Sequence, residues 1–182
     1  MANLETKTRE QVSEANQQIF DQLKSAVGFV PNLYTAYTHA ETALADYLTL
    51  SNRKTSLNNK EKEVVNLIVS ETNNCDYCKA AHTAVSKMNG FTDEQILEIR
   101  SGSAHFDSKL DALAQLVQNA AINKGQADQA PIDAFFAAGY TKENLVDVVL
   151  LIGDKTISNY LFGLGKFAID FPAAQELQAV SA

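Results

Sequence analysis

Helix breakers are scarce in this chain, and that scarcity limits its fold more than any other feature. Three prolines and eight glycines punctuate 182 residues. No segment sustains the apolar–polar alternation of a half-buried strand. Ala, Leu, Glu, Gln and Lys, all good helix formers, are plentiful. The expected fold class is all-α. Residues 8 to 25 read as a first helix, with Val12, Ala15, Ile19 and Leu23 on one face. "GFVPNLY" follows, with Pro31 suited to the first turn of a short helix. Residues 41 to 54 place Leu44, Tyr47 and Leu48 inward, and residues 58 to 72 do the same with Val64, Leu67 and Ile68.

Asn73 and Asn74 break that helix, and a new one starts beside Cys75, runs to about Met88 and stops at Gly90. Thr92 and Gln95 form a capping-box pattern for the next. Further helices are expected at 107 to 122, 131 to 138 and 141 to 163, with "NKGQADQ" as the main loop.

The length suits one domain over 1–182, with a core from about 25 to 170 and a tail that frays after about 172. Hydrophobic residues at 46% and charged residues at 20% give a globular composition. The net charge of −7 argues against a nucleic-acid partner, because phosphate binding needs clustered Lys and Arg. "MANLETKTREQ" has no signal-peptide pattern, and the longest apolar run, "VDVVLLI", is too short to cross a bilayer. The expectation is a cytoplasmic protein with no membrane partner.

A second pattern lies over the helices. "GFTDEQILEI", from Gly90, resembles "GYTKENLVDV", from Gly139, at an offset of 49 residues. The same offset sets Val64, Leu67 and Ile68 against Leu113, Leu116 and Val117. One reading is internal duplication; the other is the general likeness of amphipathic helices that follow a glycine. At that offset Cys75, Cys78 and His82 fall on Lys124, Ala127 and Pro131, and Glu63 falls on Ala112. The apolar frame recurs and the reactive residues do not.

Both cysteines of the chain lie in "ETNNCDYCKAAH". On one helix Cys75, Cys78 and His82 follow i, i+3, i+7 spacing and share a face. The partial positive charge of a helix N-terminus stabilises a thiolate, which favours Cys75 as the more acidic thiol. A thiolate attacks a peroxide oxygen, and a second thiol can then close a disulfide. Zinc is the main rival, with Cys75, Cys78 and His82 as three ligands and Glu63 or solvent as a fourth. Inert buried thiols are a third reading. A structural disulfide is the weakest, because so short a loop removes little entropy from the unfolded chain. Glu63 reaches the sulfurs if its helix folds back on the next one, and is otherwise a solvated charge in "NKEKE". Glu71 is a nearer candidate. His39 and His105 have no ligand-pair spacing.

"EVVNLIVSETNNCDYCKAAH" resembles the signature of the alkylhydroperoxidase AhpD and carboxymuconolactone decarboxylase superfamily: a Glu, eleven residues, then Cys-x-x-Cys-x-x-x-His. "GFVPNLYTAYTHAETAL" and "ENLVDVVLLIGDKTISNYL" resemble its peroxidase-related members. The resemblance covers most of residues 25 to 170. It implies an all-α bundle of helical hairpins assembled as a homotrimer or homohexamer. It implies a thiol-dependent peroxidase with no cofactor and no metal, acting on organic hydroperoxides and reduced by a dithiol or a thioredoxin or lipoyl-type partner. It further implies that Cys78 attacks, Cys75 resolves, and Glu63 and His82 relay protons. Tyr77 stands where AhpD has a further relay histidine. A disulfide-reducing adaptor and a zinc-binding or helical interaction protein are the alternatives.

Overall fold

Ser13 decides where the first long helix begins. Its backbone is extended, and its side chain accepts from the Asn16 amide, so the chain before it makes only a 3-10 turn at Arg9–Gln11. Helix α1 then spans Glu14–Val27 rather than residues 8 to 25. Its inward side chains are Asn16 and Phe20; Ala15, expected on the inner face, is exposed. The structure, a computed structural model, describes residues 2–177, and residues 1 and 178–182 lie outside the description.

Nine α-helices and no strand occur among the described residues. After α1 come α2 (Asn32–Tyr37), α3 (Ala43–Ser51), α4 (Asn59–Thr72), α5 (Asp76–Met88), α6 (Asp93–Arg100), α7 (Ser108–Ile122), α8 (Gln129–Ala137) and α9 (Lys142–Gly165). No helix of the described residues is long and apolar enough to cross a membrane. The chain divides into two compact units, Met1–Lys54 with Tyr160–Asp170, and Thr55–Asn159 with Phe171–Ala182.

In the first unit Tyr37 stacks on Tyr47 at 4.4 Å between ring centroids. Leu44 is fully buried there. Asp170 accepts from the Asn32 backbone amide at 2.7 Å, tying the returning chain to the start of α2.

The second unit is built on α4 and α7, which pack against each other; α5 and α6 lie against α4, and α8 lies against α7. Val64, Leu67, Leu113 and Val117 are all 0% exposed at the centre of its core. Each such side chain contributes about 1.5–3 kcal/mol by leaving water. The repeat is legible here. α4 and α7 start 49 residues apart, as do α6 and α9. Gly90 and Gly139 both adopt positive φ, at 86° and 90°, where a side chain would strain the backbone. Phe91 and Tyr140 follow them into the core. Thr92 and Gln95 exchange reciprocal cap bonds, and Thr141 does the same with Asn144.

The constant offset fails between the helices of each pair. Asn73, Asn74 and Cys75 join α4 to α5, whereas residues 123–128 join α7 to α8. Counted from the helix caps, Cys75 therefore matches Asp128, Cys78 matches Pro131, and His82 matches Phe135. This corrects the pairing with Lys124, Ala127 and Pro131. Phe135 is fully buried and stacks on Tyr140 at 4.3 Å. Where one half of the unit carries an imidazole, the other carries a core ring.

The tail expected to fray after about 172 lies partly outside the described residues. Its described part has no regular secondary structure and is held. Phe171 packs edge-on against Tyr77 at 5.6 Å, and the Gln175 carbonyl accepts from Arg100 Nη1. The buried Arg100 guanidinium is also paired with Glu71 at 2.8 Å, so Glu71 faces away from the cysteines' chemistry.

Candidate thiol site

Asn74, two residues past the end of α4, lies in the left-handed region at φ 50° and turns the chain back. Cys75 then caps α5. Its amide donates to the Ser70 carbonyl at 2.9 Å, and its sulfur accepts from the Cys78 amide at 3.4 Å. Both cysteines are free thiols, 1% and 2% exposed. A cysteine as cap directs its sulfur across the first turn, toward the residue three positions on.

The same turn folds α5 against α4 and brings Glu63 to His82. Glu63 Oε2 accepts from His82 Nδ1 at 2.8 Å, and Ser86 Oγ donates to the same oxygen at 3.4 Å. Asn66 Nδ2 donates to Oε1 at 2.9 Å. Glu63 is 5% exposed, so it is no solvated charge. Burial opposes its ionisation. The His82 charge and hydrogen bond, the Asn66 amide and the Lys155 ammonium outweigh that and hold the carboxyl below its ordinary range. His82 moves downward too: burial and Lys155 disfavour the imidazolium more than Glu63 favours it. Near neutrality the pair is therefore a carboxylate and a neutral imidazole. An ionised carboxylate only accepts, so the imidazole proton sits on Nδ1 and Nε2 keeps its lone pair.

The sulfurs titrate in opposite directions. Cys78 falls below the usual thiol value, first through the hydrogen bond from the Cys75 thiol and then, against burial, through Lys155 and Asn159. Cys75 rises, because it gives that hydrogen bond and is buried beside a thiolate. The amide of Cys78 does favour charge on Cys75, as the helix end predicts. The hydrogen bond from the Cys75 thiol decides the order of acidity, and Lys155 on α9 reinforces it. Cys78 also lies one turn before His82 on the same face of α5.

Among the described residues, no group of three or more His, Cys, Asp or Glu is arranged to hold a metal ion. His39 bonds the Glu5 carbonyl and His105 bonds Glu98, both at 2.8 Å and both exposed.

Comparison with known proteins accords with this arrangement. Residues 35–119, which contain all four of these residues, match the model of the carboxymuconolactone decarboxylase family. The fold matches a solved structure described as an alkylhydroperoxidase AhpD core, an uncharacterized peroxidase-related protein from Ralstonia eutropha. The TM-score is 0.83 at 16% identity, over 93% of this chain and 92% of that one. Residues 35–119 thus resemble the carboxymuconolactone decarboxylase family, and the chain has the fold of the AhpD-like structure.

A second uncharacterized peroxidase-related protein, from Silicibacter sp., matches with TM-score 0.77 at 16% identity, over 97% of this chain and 93% of that one. The debrominase Bmp8, solved as a variant with 2,3,4-tribromopyrrole, matches with TM-score 0.77 at 12% identity, over 93% and 92%. One helical fold thus occurs in proteins described by different chemistries. No curated protein sequence matches the chain significantly.

The AhpD-like signature omits residues that this site uses. Asn159 on α9 accepts from Asn73 Nδ2 at 2.9 Å and donates to Ser70 Oγ at 3.5 Å, holding the turn that presents Cys75. Asp154 and Lys155 are buried on the same helix. A signal for them exists in the sequence. In "VDVVLLIGDKTISNYL" the polar residues 147, 154, 155, 158 and 159 recur at helical spacing within an apolar segment. All five are buried, while Val146, Val149, Leu150 and Ile157 on the same helix are exposed.

Proposed function

We propose that the protein is a thiol-dependent peroxidase that reduces organic hydroperoxides. The observation that carries this reading is the Glu63–His82 hydrogen bond on the face of α5 that also bears Cys78. The Cys78 thiolate attacks the terminal oxygen of ROOH; the O–O bond breaks, a sulfenic acid forms, and the alkoxide leaves as ROH. His82 Nε2 takes up the proton that Cys78 loses on becoming the thiolate and passes it to the leaving oxygen, while Glu63 stabilises the transient imidazolium through Nδ1. Cys75 then attacks the sulfenic sulfur, water leaves, and the Cys75–Cys78 disulfide forms. An external dithiol of thioredoxin or lipoyl type restores both thiols by exchange.

Burial of both sulfurs favours an oxidant of peroxide size over the disulfide of a folded partner, which supports the peroxidase over a disulfide-reducing adaptor. The exposed apolar side of α9, opposite its buried polar side, supports assembly with further copies of the chain as a homotrimer or homohexamer. The cytoplasm, where thiols are kept reduced, suits this cycle.

The test is steady-state consumption of cumene hydroperoxide with a dithiol, for wild type, Cys75→Ser and Cys78→Ser, followed by intact mass. Sulfenic acid trapped in Cys75→Ser alone supports the assignment; trapping in Cys78→Ser alone reverses the two roles. No turnover by the wild type ends the peroxidase reading.

A further inference from the structure

α9 is registered on α4 at two levels. Near the N-terminal ends Asp147 Oδ2 accepts from the Ser56 amide and hydroxyl, both at 2.6 Å. At the far end Asn159 joins Ser70 and Asn73. The two helices therefore run side by side in the same direction. Lys155, one turn before Asn159 and on its face, falls level with the turns of α4 that carry Glu63, Asn66 and Ser70. Lys155 is 6% exposed. A buried ammonium needs compensating negative charge nearby.

The groups that face this space are Glu63 from α4, Cys75, Cys78 and His82 from α5, and Asp154 from α9 itself. Lys79, on α5, is engaged elsewhere by Asp76 at 2.7 Å. Glu63 is already neutralised in part by three donors, and one oxygen of Asp154 is buried without a hydrogen bond. Of these anions, the Cys78 thiolate is the one that appears and disappears with the redox state.

We infer that Lys155 is a positioning residue of the thiol site: its buried ammonium holds Cys78 as the thiolate and so favours the dithiol over the disulfide. The inference rests on the Cys75–Cys78 redox pair of the proposed function but not on peroxide as the oxidant. When the disulfide is reduced it takes two electrons and one proton from the reference dithiol: Cys75 becomes a thiol and Cys78 a thiolate. The dithiol's second proton goes to water. Lys155 stabilises only the product side, so it shifts the couple toward the reduced form. Direct electrostatics support the same sense, since Lys155 lowers Cys78 and Asp154 raises it.

The experiment uses the full chain, without peroxide. The pH profile of Cys78 alkylation by iodoacetamide is read by peptide mass, and the disulfide is equilibrated with a reference dithiol. Lys155→Gln is expected to slow alkylation near neutrality about ten-fold, as a rise of one pKa unit requires. It is also expected to shift the couple about ten-fold toward the disulfide, roughly 30 mV. Lys155→Arg keeps the charge and is expected to stay within about two-fold of wild type, which a loss of packing alone would not allow. Should Lys155→Gln not fold, Asp154→Asn supplies the opposite arm, with faster alkylation and a shift toward the dithiol. Unchanged profile and potential in Lys155→Gln, or in Asp154→Asn, overturn the inference. Loss of peroxide turnover in the wild type leaves these readouts intact and bears only on the peroxidase reading.

Discussion

Glu63 Oε2 and His82 Nδ1, nineteen positions apart in the chain, meet at 2.8 Å because the Asn73–Cys75 turn folds α5 back along α4. That contact fixes the imidazole tautomer and leaves the Nε2 lone pair in place. It is also the feature on which the proposed proton relay most directly depends.

Replacing Glu63 by Gln is expected to lower kcat/KM for cumene hydroperoxide by roughly 10²-fold or more, the usual range for removing a positioned acid–base group. Gln can still hydrogen-bond His82, so the fold should persist. Stopped-flow oxidation of Cys78 in the variant checks the chemical step apart from disulfide reduction.

Stability should fall on acidification, in two overlapping steps. His82 has a folded value below the ordinary imidazole value of about 6.5. Its contribution is therefore full above that value and declines as pH falls toward the folded one, because the unfolded chain binds the proton first. Glu63 has a folded value below the ordinary carboxyl value of about 4.3, so its contribution is full above that and is lost as pH falls through the folded value. Urea unfolding across neutral to mildly acidic pH should show the first step in wild type and lose it in His82→Gln.

Leu67 and Leu113 are both 0% exposed, and their helices pack together. Truncating either to Ala should cost about 2–5 kcal/mol. If the two positions share one layer, the double variant will depart from additivity by about 0.5 kcal/mol or more. Met88→Ala, at an 86% exposed position, should stay within about 0.5 kcal/mol of wild type. Chemical denaturation measures all four.

Asn159→Leu removes the bond to Asn73 and leaves Ser70 Oγ without that donor. The expected loss is about 1–3 kcal/mol in stability. Disulfide closure after stoichiometric peroxide should also slow, because the turn that presents Cys75 loosens. Quenched-flow mass measurement of the two-dalton loss checks this, and a closure rate equal to wild type would contradict the positioning role.

Local rules made much of this protein legible before any coordinates. Thr92 with Gln95, Asn73 with Asn74, and the apolar spacing at Val64, Leu67 and Ile68 mark helix starts, stops and inner faces through contacts within one or two turns. The Glu63, Cys75, Cys78 and His82 spacing belongs to the same class of information. Where a cap competed with periodicity, as Ser13 does inside residues 8 to 25, reading by pattern alone placed the helix too early. The matching of His82 with Phe135 was hidden because the loop between α7 and α8 breaks the offset that α4 and α7, and α6 and α9, keep.

The charge state of the sulfurs was settled at longer range. The helix end acting within α5 points to Cys75, and only the folded placement of the two sulfurs contradicts it. The hydrogen bond from the Cys75 thiol places the charge on Cys78, and Lys155, on a helix about eighty residues away, adds to it against burial and against Asp154. Coulomb and desolvation energies follow distance in space, whereas capping and periodicity follow distance along the chain. A one-dimensional pattern can therefore name the reactive residues, but the packing of a remote helix sets how strongly Cys78 is held as the charged one.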